Sequence, residues 1–498
     1  MKIWGYNDNL DLLLINSPLS DYGKPHPEYT VFQPPIGLAA LASYLDRRGF
    51  RIGVWDADAD KVSPQTMAEE IAELKPRWVG FNTFTSGFEI LGDIASRIRQ
   101  VSPDSKLMLG GVHATVAGED FLDLEQFRNA IIVRNDGEFK VEALLEGRDL
   151  QSISGLGFVS QGDLVINKED SRWLVQDIDH PLFALNRRFV PYDPTLGNIS
   201  PDGKKRAFVA SSRGCPYGCK FCSSSRLARE NRAVRFRSPD NVIEEIVEII
   251  DSGVLDIKFN DELVWSSEGR IEAILGGLIE LGYKSETGLQ IRGNGRANII
   301  ANCSEETLDL MVTVGVRKVG FGVELGTKKG MAILKKHLTP EEVIIATTRL
   351  AERGIPALAN FMFNIPGEDE KEVRATVALA KELVLIGRKY SVSIEIDGYP
   401  YRPYPGTEYW DELIKAGYRK EDLTKVMQVD AETGSGSHLQ VEPYVHLSSI
   451  DLATERIHRR VLDNLTKMTD EQLALLEEEY PIDICFEGER AVTKERER

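Results

Sequence analysis

Twice along this 498-residue chain, short apolar runs alternate with segments of helical period, and that double alternation is what most narrows its possible folds. The first series opens with "DLLLIN" (11–16), stopped by Asn16-Ser17-Pro18. It continues with "PPIGLAALASYLDRRGF", where Leu38, Leu41 and Leu45 recur at helical spacing behind prolines and before Gly49. "RIGVWDAD" (51–58), "WVGFNTFT" (78–85), "KLMLGGVH" (106–113) and "AIIVRNDGE" (130–138) read as strands, with helical stretches such as "SPQTMAEEIAELK" between them. This pattern predicts an α/β unit over residues 1–150, a doubly wound, Rossmann-like parallel sheet whose ligand sits beyond the carboxyl ends of its strands.

Residues 151–205 lose the rhythm and read as a connector rich in prolines and turn formers. A second series starts at "RAFVASSRG" (206–214) and runs through "VLDIKFNDE", "TGLQIRGNGRAN", "VRKVGFGVELGT", "IPALANFMFNIPGE" and "YSVSIEIDGYPYRPYPGT". These six β/α units over residues 206–407 predict a partial (β/α)6 barrel with its active groups at the carboxyl ends of the strands. Residues 408–498 read as mainly helical and end in the charged "ERAVTKERER".

A chain of this length exceeds what one core supports, which agrees with several domains. No apolar run reaches the roughly 18 residues that span a bilayer, and the start does not resemble a signal segment, so no membrane association and a cytoplasmic location are expected. The formal net charge of −18 disfavours nucleic acid and leaves a small molecule as the expected substrate. Five cysteines in so long a chain make no disulfide framework.

Three of those cysteines fall within eight residues, in "SSRGCPYGCKFCSSS". Cys215, Cys219 and Cys222 form a CxxxCxxC string directly after an expected strand, and Gly214, Pro216 and Gly218 let the loop curl so that three sulfurs face one point. Three thiolates leave one iron of a cubane without a protein ligand, open to direct binding by a substrate. Zinc is the competing reading; it wants four ligands, and no histidine lies within 30 residues of Cys222. Cys303 and Cys485 are distant and are expected to pack as small hydrophobes.

With Phe221 just before its last cysteine, and placed in the first strand loop of a β/α series, this string resembles the radical S-adenosylmethionine (SAM) superfamily. The resemblance implies a [4Fe-4S] cluster on Cys215, Cys219 and Cys222 whose open iron chelates SAM. A reduced cluster then splits SAM into methionine and a 5′-deoxyadenosyl radical, with an external donor such as flavodoxin or ferredoxin supplying the electron. It also implies SAM contacts at Phe221, at Asp261 and Glu262 in "FNDE", at Arg292 or Arg296 in "IRGNGRAN", and at Glu324 in "GFGVELGT".

The loops of the first series, "NSP", "PPIGLAALASYL", "DADAD", "VGFNTFT", "GGVHAT" and "NDGE", together resemble the cobalamin-binding domain that precedes radical SAM domains in one large subclass. That resemblance implies contacts to cobalamin at Pro35, Gly37, Thr83, Thr85, Gly110, Gly111, His113, Gly137 and Glu138. Glycines let backbone approach a flat macrocycle, and Thr83, Thr85 and Thr115 offer hydroxyls to its amides or nucleotide tail. His113 lacks the DxHxxG string of proteins that place an imidazole under cobalt, so a loop or supporting role is expected for it. The family's "GEGE"-like string stands here as "NDGE". A flavodoxin-like sheet without cofactor is the plain competitor, and the absence of GxGxxG after the first strand lowers a dinucleotide reading.

"GYPYRPYPGTEYW" (398–410) also resembles the end of the barrel in cobalamin-dependent members. Tyr399, Tyr401, Tyr404 and Tyr409 either line a substrate pocket or form an aromatic plug. Isolated His438 and His446 are expected to hydrogen-bond locally. The function expected is cobalamin-dependent radical methylation of an unactivated carbon, or phosphorus, in a small metabolite. The alternative is ring closure or rearrangement with the same cofactors. Methylthiolation of tRNA would need three further cysteines, and only Cys303 and Cys485 remain. A cobalamin sensor without turnover would have no use for an open iron.

Overall fold

The structure is a computed structural model that describes residues 2–6, 8–19, 22, 34–191, 205–224, 234–424, 426–428, 441–443 and 445–486. Its first sheet contains β1 (Ile3–Gly5), β2 (Leu12–Asn16), β3 (Ile52–Asp56), β4 (Trp78–Asn82), β5 (Lys106–Gly110), β6 (Ile131–Val133), β7 (Leu156–Ser160) and β8 (Asp163–Ile166). The order is β1-β3-β2-β4-β5-β6-β7-β8, with β3, β2, β4, β5 and β6 parallel and the edges antiparallel. Strands β2, β3 and β4 are buried almost throughout, as a sheet covered on both faces requires. One face packs on α2 (Pro64–Leu74) and α3 (Phe88–Val101), the other on α1 (Ile36–Arg47) and on a later helix, Glu138–Leu145. Helix α2 starts where Ser63 accepts from Thr66 N and Pro64 occupies the first turn. A short helix, α4 (Val112–Ala117), follows β5, and α5 is Glu138–Leu145.

The expected break at residue 150 is corrected by β7 and β8, which extend this sheet to Ile166. They turn through Gln161 (φ 53°) and Gly162 (φ 94°), a left-handed pair suited to a tight hairpin. The following stretch also belongs to this unit: Arg47 donates to Ala184 O at 2.5 Å, and Asn186 N donates to Ser43 Oγ at 2.8 Å.

The second sheet holds β9 (Arg206–Val209), β12 (Asp256–Phe259), β13 (Gln290–Gly295), β14 (Val316–Glu324), β15 (Ala357–Phe363) and β16 (Ile394–Pro400). They are parallel throughout, in sequential order, as the partial barrel predicts. A small ladder, β10 (Ser212–Arg213) with β11 (Arg235–Phe236), sits beyond β9. The crossover helices are α6 (Pro239–Asp251), α7 (Glu268–Glu280), α8 (Ala297–Asn302), α9 (Glu305–Val314), α10 (Lys328–Ile333), α11 (Pro340–Glu352) and α12 (Glu370–Lys389). Thr339 and Glu342 form a capping box at α11, with Pro340 in its first turn.

Helix α13 (Glu408–Lys415), the ladder β17 (Val426–Gln428) with β18 (Val441–Pro443), α14 (Leu452–Asn464) and α15 (Asp470–Leu475) follow. Leu462, Leu473, Tyr480 and Cys485 lie in the barrel's own core, so the last region completes that unit. The two units share packing as well: Phe208 of β9 belongs to the same cluster as Phe189 and the α1 face of the first sheet. Among the described residues, no helix is long and apolar enough to cross a membrane.

Candidate active site

A cavity of about 420 Å³ opens between the two units and is lined from both. Asn82, Gly110 and Gly111 come from the ends of β4 and β5, while Ala210 and Asn260 follow β9 and β12. Its deep wall is apolar, formed by Leu14, Met108 and Val133 on the sheet, Leu41 on α1 and Val141 on α5. Its rim is polar and carries Asn135, Asp136, Glu138 and Arg213. Pro35, Gly37 and Gly137 also line it, and a Cβ on Gly37 would meet nothing within 4 Å, leaving that backbone bare to the cavity.

The rim is held by charge across the two units. Arg213 stands 2.8 Å from Glu138 and 3.6 Å from Asp136, and Arg235 of β11 also pairs with Asp136. Burial alone would raise the Asp136 carboxyl, but the hydrogen bond from Arg235 and the charges of Arg213 and Arg235 hold it below its ordinary value. Asp136, Asn82 and Arg213 went unnamed in the sequence, although each follows or ends an expected strand.

Thr83, Thr85 and His113 are not among the cavity's lining residues. Thr83 Oγ donates to Gly110 O at 2.8 Å and accepts from Ala114 N at 3.0 Å, which ties down the glycine loop. Thr115 Oγ likewise donates to Gly111 O at 2.8 Å and accepts from Asn135 N at 3.0 Å. Thr85 Oγ lies 3.0 Å from His113 Nδ1, and the His113 ring packs between Phe88 and Phe121. Burial, then the nearby charge of Lys420, pushes the His113 pKa down to about 4. Gly111 has φ +95°, and a Cβ there would lie 2.3 Å from Asn82 Oδ1 and 2.8 Å from Thr83 N, so this position admits only glycine.

Two residues beyond Arg213 the chain enters the cysteine loop through Gly214, whose φ of +99° makes the turn. Cys219 is buried, Cys215 and Cys222 are half-buried, and none of the three is in a disulfide. The loop is pinned at its middle: Lys220 N donates to Leu334 O at 3.0 Å, Tyr409 N to Lys220 O at 3.3 Å, and Lys220 Nζ meets Glu412 at 2.7 Å. The Arg296 guanidinium lies 3.9 Å from Cys219 Sγ and 3.7 Å over the Tyr217 ring, and also donates to the carbonyls of Lys336 and His337. Burial, with the Glu262 charge adding to it, pushes Cys222 up to about 11 and Cys215 in the same direction. Among the described residues, no three His, Cys, Asp or Glu side chains stand at metal-ligand spacing. Phe221 packs beside Leu325, Leu334 and Ile365, with Lys336 Nζ 5.8 Å from its ring.

Glu324 ends β14 at a break in register with β15 and is held at φ +74°, a region costly for a residue with a Cβ. Its Oε1 accepts from Lys336 Nζ at 2.6 Å, and both side chains are 9% exposed. Asp261 is buried and accepts from Ser211 N at 2.9 Å and Ser211 Oγ at 2.7 Å, with Ser212 as a further donor, so it fixes the entry to the cysteine loop. Glu262 is exposed and accepts from Ser224 Oγ at 2.9 Å. Arg292 lies elsewhere: it meets Asp256, the first residue of β12, at 3.1 Å.

Residues 28–145 match the B12 binding domain family, and residues 209–380 match the Radical SAM superfamily. This chain is a cobalamin-dependent radical SAM enzyme. It is 29% identical to an uncharacterized methyltransferase of Pyrococcus horikoshii over 76% of this chain and 78% of that one. It is 24% identical to an anaerobic magnesium-protoporphyrin IX monomethyl ester cyclase of Cereibacter sphaeroides over 76% of this chain and 60% of the cyclase. Its fold is shared with the radical SAM methyltransferase TsrM from Kitasatospora setae, with a TM-score of 0.64 at 21% identity over 82% of this chain and 76% of that one.

Cobalamin, SAM and a [4Fe-4S] cluster are the cofactors of a radical SAM enzyme so built. The residues present fit them. Three thiols on one loop, none in a disulfide and with a guanidinium beside the buried one, are the donor set a site-differentiated cluster needs. An apolar slot under a glycine-lined, amide-bearing rim suits a macrocycle with polar edges and an aromatic nucleotide tail.

Tyr401 and Tyr409 are buried with ring centroids 5.6 Å apart and serve as packing, Tyr404 is exposed, and Tyr399 donates to Asp397 at 2.9 Å. His446 Nε2 lies 2.7 Å from Ile450 O, and His438 lies outside the described residues. Cys303 and Cys485 sit in the core against backbone carbonyls at 3.3 Å.

Proposed function

We propose that this radical SAM enzyme transfers a methyl group to an unactivated carbon, or phosphorus, of a small metabolite. The observation that carries the reading is the shared wall of the 420 Å³ cavity. Gly110, Gly111 and Gly137, expected to face cobalamin, line the same space as Ser212 and Arg213, which lead directly into the cysteine loop. When bound, SAM and the reduced cluster supply a 5′-deoxyadenosyl radical and cobalamin supplies a methyl carrier.

The chain's own part is to bind, orient and exclude water. Cys215, Cys219 and Cys222 would hold the cluster, and Arg296 places its guanidinium 3.9 Å from Cys219 Sγ. Glu324 and Lys336 offer a buried pair of opposite charges that matches the amino and carboxylate groups of SAM. Arg213 and Arg235, paired to Asp136, tie the cofactor cavity to the loop, and Leu14, Leu41, Met108 and Val141 keep its depth dry. Gly214 and Pro216 are exposed, which leaves the cysteine loop approachable by an electron donor such as flavodoxin or ferredoxin. The Pyrococcus relative and TsrM are both named as methyltransferases, in support of methylation.

The cyclase of Cereibacter sphaeroides favours a second reading, ring closure with the same cofactors. Anaerobically reconstituted enzyme, incubated with reductant and candidate metabolites, separates the two. Methyl transfer gives S-adenosylhomocysteine together with 5′-deoxyadenosine, and 5′-deoxyadenosine alone in the presence of a converted substrate would replace it by the second reading.

A further inference from the structure

Arg292, expected at the SAM edge, stands instead in a layer of cations toward the amino end of the second sheet. Lys258 is the register partner of Arg292, and Arg292 that of Lys318, on the adjacent parallel strands β12, β13 and β14. Their side chains share the concave face, because the alternating residues Ile257, Phe259, Ile291 and Val319 lie in the core beneath the crossover helices. Arg206 of β9 adds a fourth cation as the register partner of Asp256. Neighbouring strands lie about 4.8 Å apart, so these like charges repel across the sheet.

Two carboxylates answer the four cations. Asp256 is shared, at 3.0 Å from Arg206 and 3.1 Å from Arg292, and Glu395 meets Lys318 at 2.5 Å. Lys258 makes no hydrogen bond or ion pair among the described residues; its ammonium stands 5.7 Å from the centroid of the Phe208 ring. Burial, then the charges of Arg206, Lys318 and Arg292, lowers its pKa from that of an ordinary lysine. The side chains of Arg206, Arg292 and Lys318 keep 16%, 18% and 26% exposure, so solvent still reaches the layer. An aliphatic residue at position 258 would remove the repulsion at no cost to packing. A half-buried lysine that feels Asp256 only at a distance, while that carboxylate pairs with two arginines, is instead what an anion-binding surface offers.

We infer that this layer binds an anionic group of the substrate, a phosphate or a carboxylate, with Lys258 as its principal contact. The inference rests on the proposed radical chemistry at the cysteine loop, with the substrate reaching from there into the barrel. It also sets the substrate's length. Four residues separate Arg292 from Arg296 at the cysteine loop, about 13 Å of extended strand. The substrate therefore carries its anion roughly 10–15 Å from the atom that reacts, which describes an elongated acidic metabolite.

Calorimetric titration of the reconstituted holoenzyme with inorganic phosphate, pyrophosphate and succinate tests this. At least one of the three binds saturably and weakens as salt rises, and comparing them separates phosphate from carboxylate. Lys258→Gln reduces that affinity at least tenfold, while iron, sulfide and corrin contents report that the cofactor sites remain intact. Lys258→Met abolishes the binding yet raises the Tm, by about 2 °C, because repulsion is relieved. No saturable binding, or equal binding by wild type and Lys258→Gln, overturns the inference; a fall in Tm for Lys258→Met assigns the lysine to the fold and overturns it too. The titration reads the anion alone and S-adenosylhomocysteine reads methyl transfer, so either proposal can fail without the other.

Discussion

The carboxyl edges of the two sheets are built from similar strands yet handle polarity in opposite ways. On the first, polar groups satisfy one another: Asn82 donates to Asn16, Asn16 to Asp56, and Thr83 and Thr115 bind the loop around Gly111. What faces a ligand there is glycine backbone and an apolar slot, with Asp136, Glu138 and Arg213 already paired at its rim. On the second, charge is kept at the surface of the site, in Arg296 beside Cys219 and in the Glu324–Lys336 pair held by a strained backbone. One edge recognises by shape, as suits a large preformed macrocycle, and the other by charge, as suits a small zwitterion.

The largest effect that would break this contrast is at Glu324. Glu324→Gln leaves the Lys336 ammonium buried without its partner, which costs about 3–5 kcal/mol of stability. The double variant Glu324→Gln, Lys336→Met restores most of that in a urea titration. It does not restore 5′-deoxyadenosine formation, which stays at least about 100-fold down because a charged contact to SAM is gone. Activity returning along with stability would show the pair to be scaffolding, and the second edge would then resemble the first.

What the sequence could reveal divides along the same line. The six barrel strands, the parallel core of the first sheet and the cysteine loop were legible because each rests on local spacing: continuous apolar runs, helical period and CxxxCxxC. The hairpin at Leu156–Ile166 was not, because it breaks the β/α rhythm and joins the sheet at an antiparallel edge. The pairing of Arg235 with Asp136 spans 99 residues, and no local pattern reports it. The directions of Thr83 and His113 depend on how Gly111 folds the loop back. Arg292 is the missed signal: in "QIRGNG" it alternates with Ile291 and Gly293, and parity alone sets it on the concave face, several residues short of the strand's end.

A smaller effect sharpens the claim that the first edge works by shape. Gly111→Ala forces a Cβ to 2.3 Å from Asn82 Oδ1 and strains a backbone at φ +95°. The cost is about 2–4 kcal/mol. Corrin retention after gel filtration falls with it, while iron content holds, since the cysteine loop belongs to the other edge. Loss of iron and corrin together would mean that the two edges form one cooperative unit.

The smallest effect probes whether Asp56, buried at the first edge, is uncharged at neutral pH. Burial pushes the Asp56 carboxyl up to about 7, against the hydrogen bonds it accepts from Asn16 and Ala59, whereas the unfolded chain keeps it near 3.8. The folded state therefore holds the extra proton, so the stability this group contributes is full below pH 3.8 and is lost as pH rises through 7. His113 has the opposite sign: with a folded pKa of about 4 against 6.5, its contribution is present above pH 6.5 and is lost as pH falls toward 4. Asp56→Asn keeps an acceptor for Asn16 and Ala59, removes the ionisation and puts an amide donor where the unpartnered Oδ2 stands. It should raise stability at pH 8 by about 1–3 kcal/mol, with a smaller gain at pH 5, and leave the acid limb set by His113 in place. If denaturation at pH 8 finds Asp56→Asn no more stable than wild type, the carboxylate is charged and tolerated, and the first edge handles polarity no differently from the second.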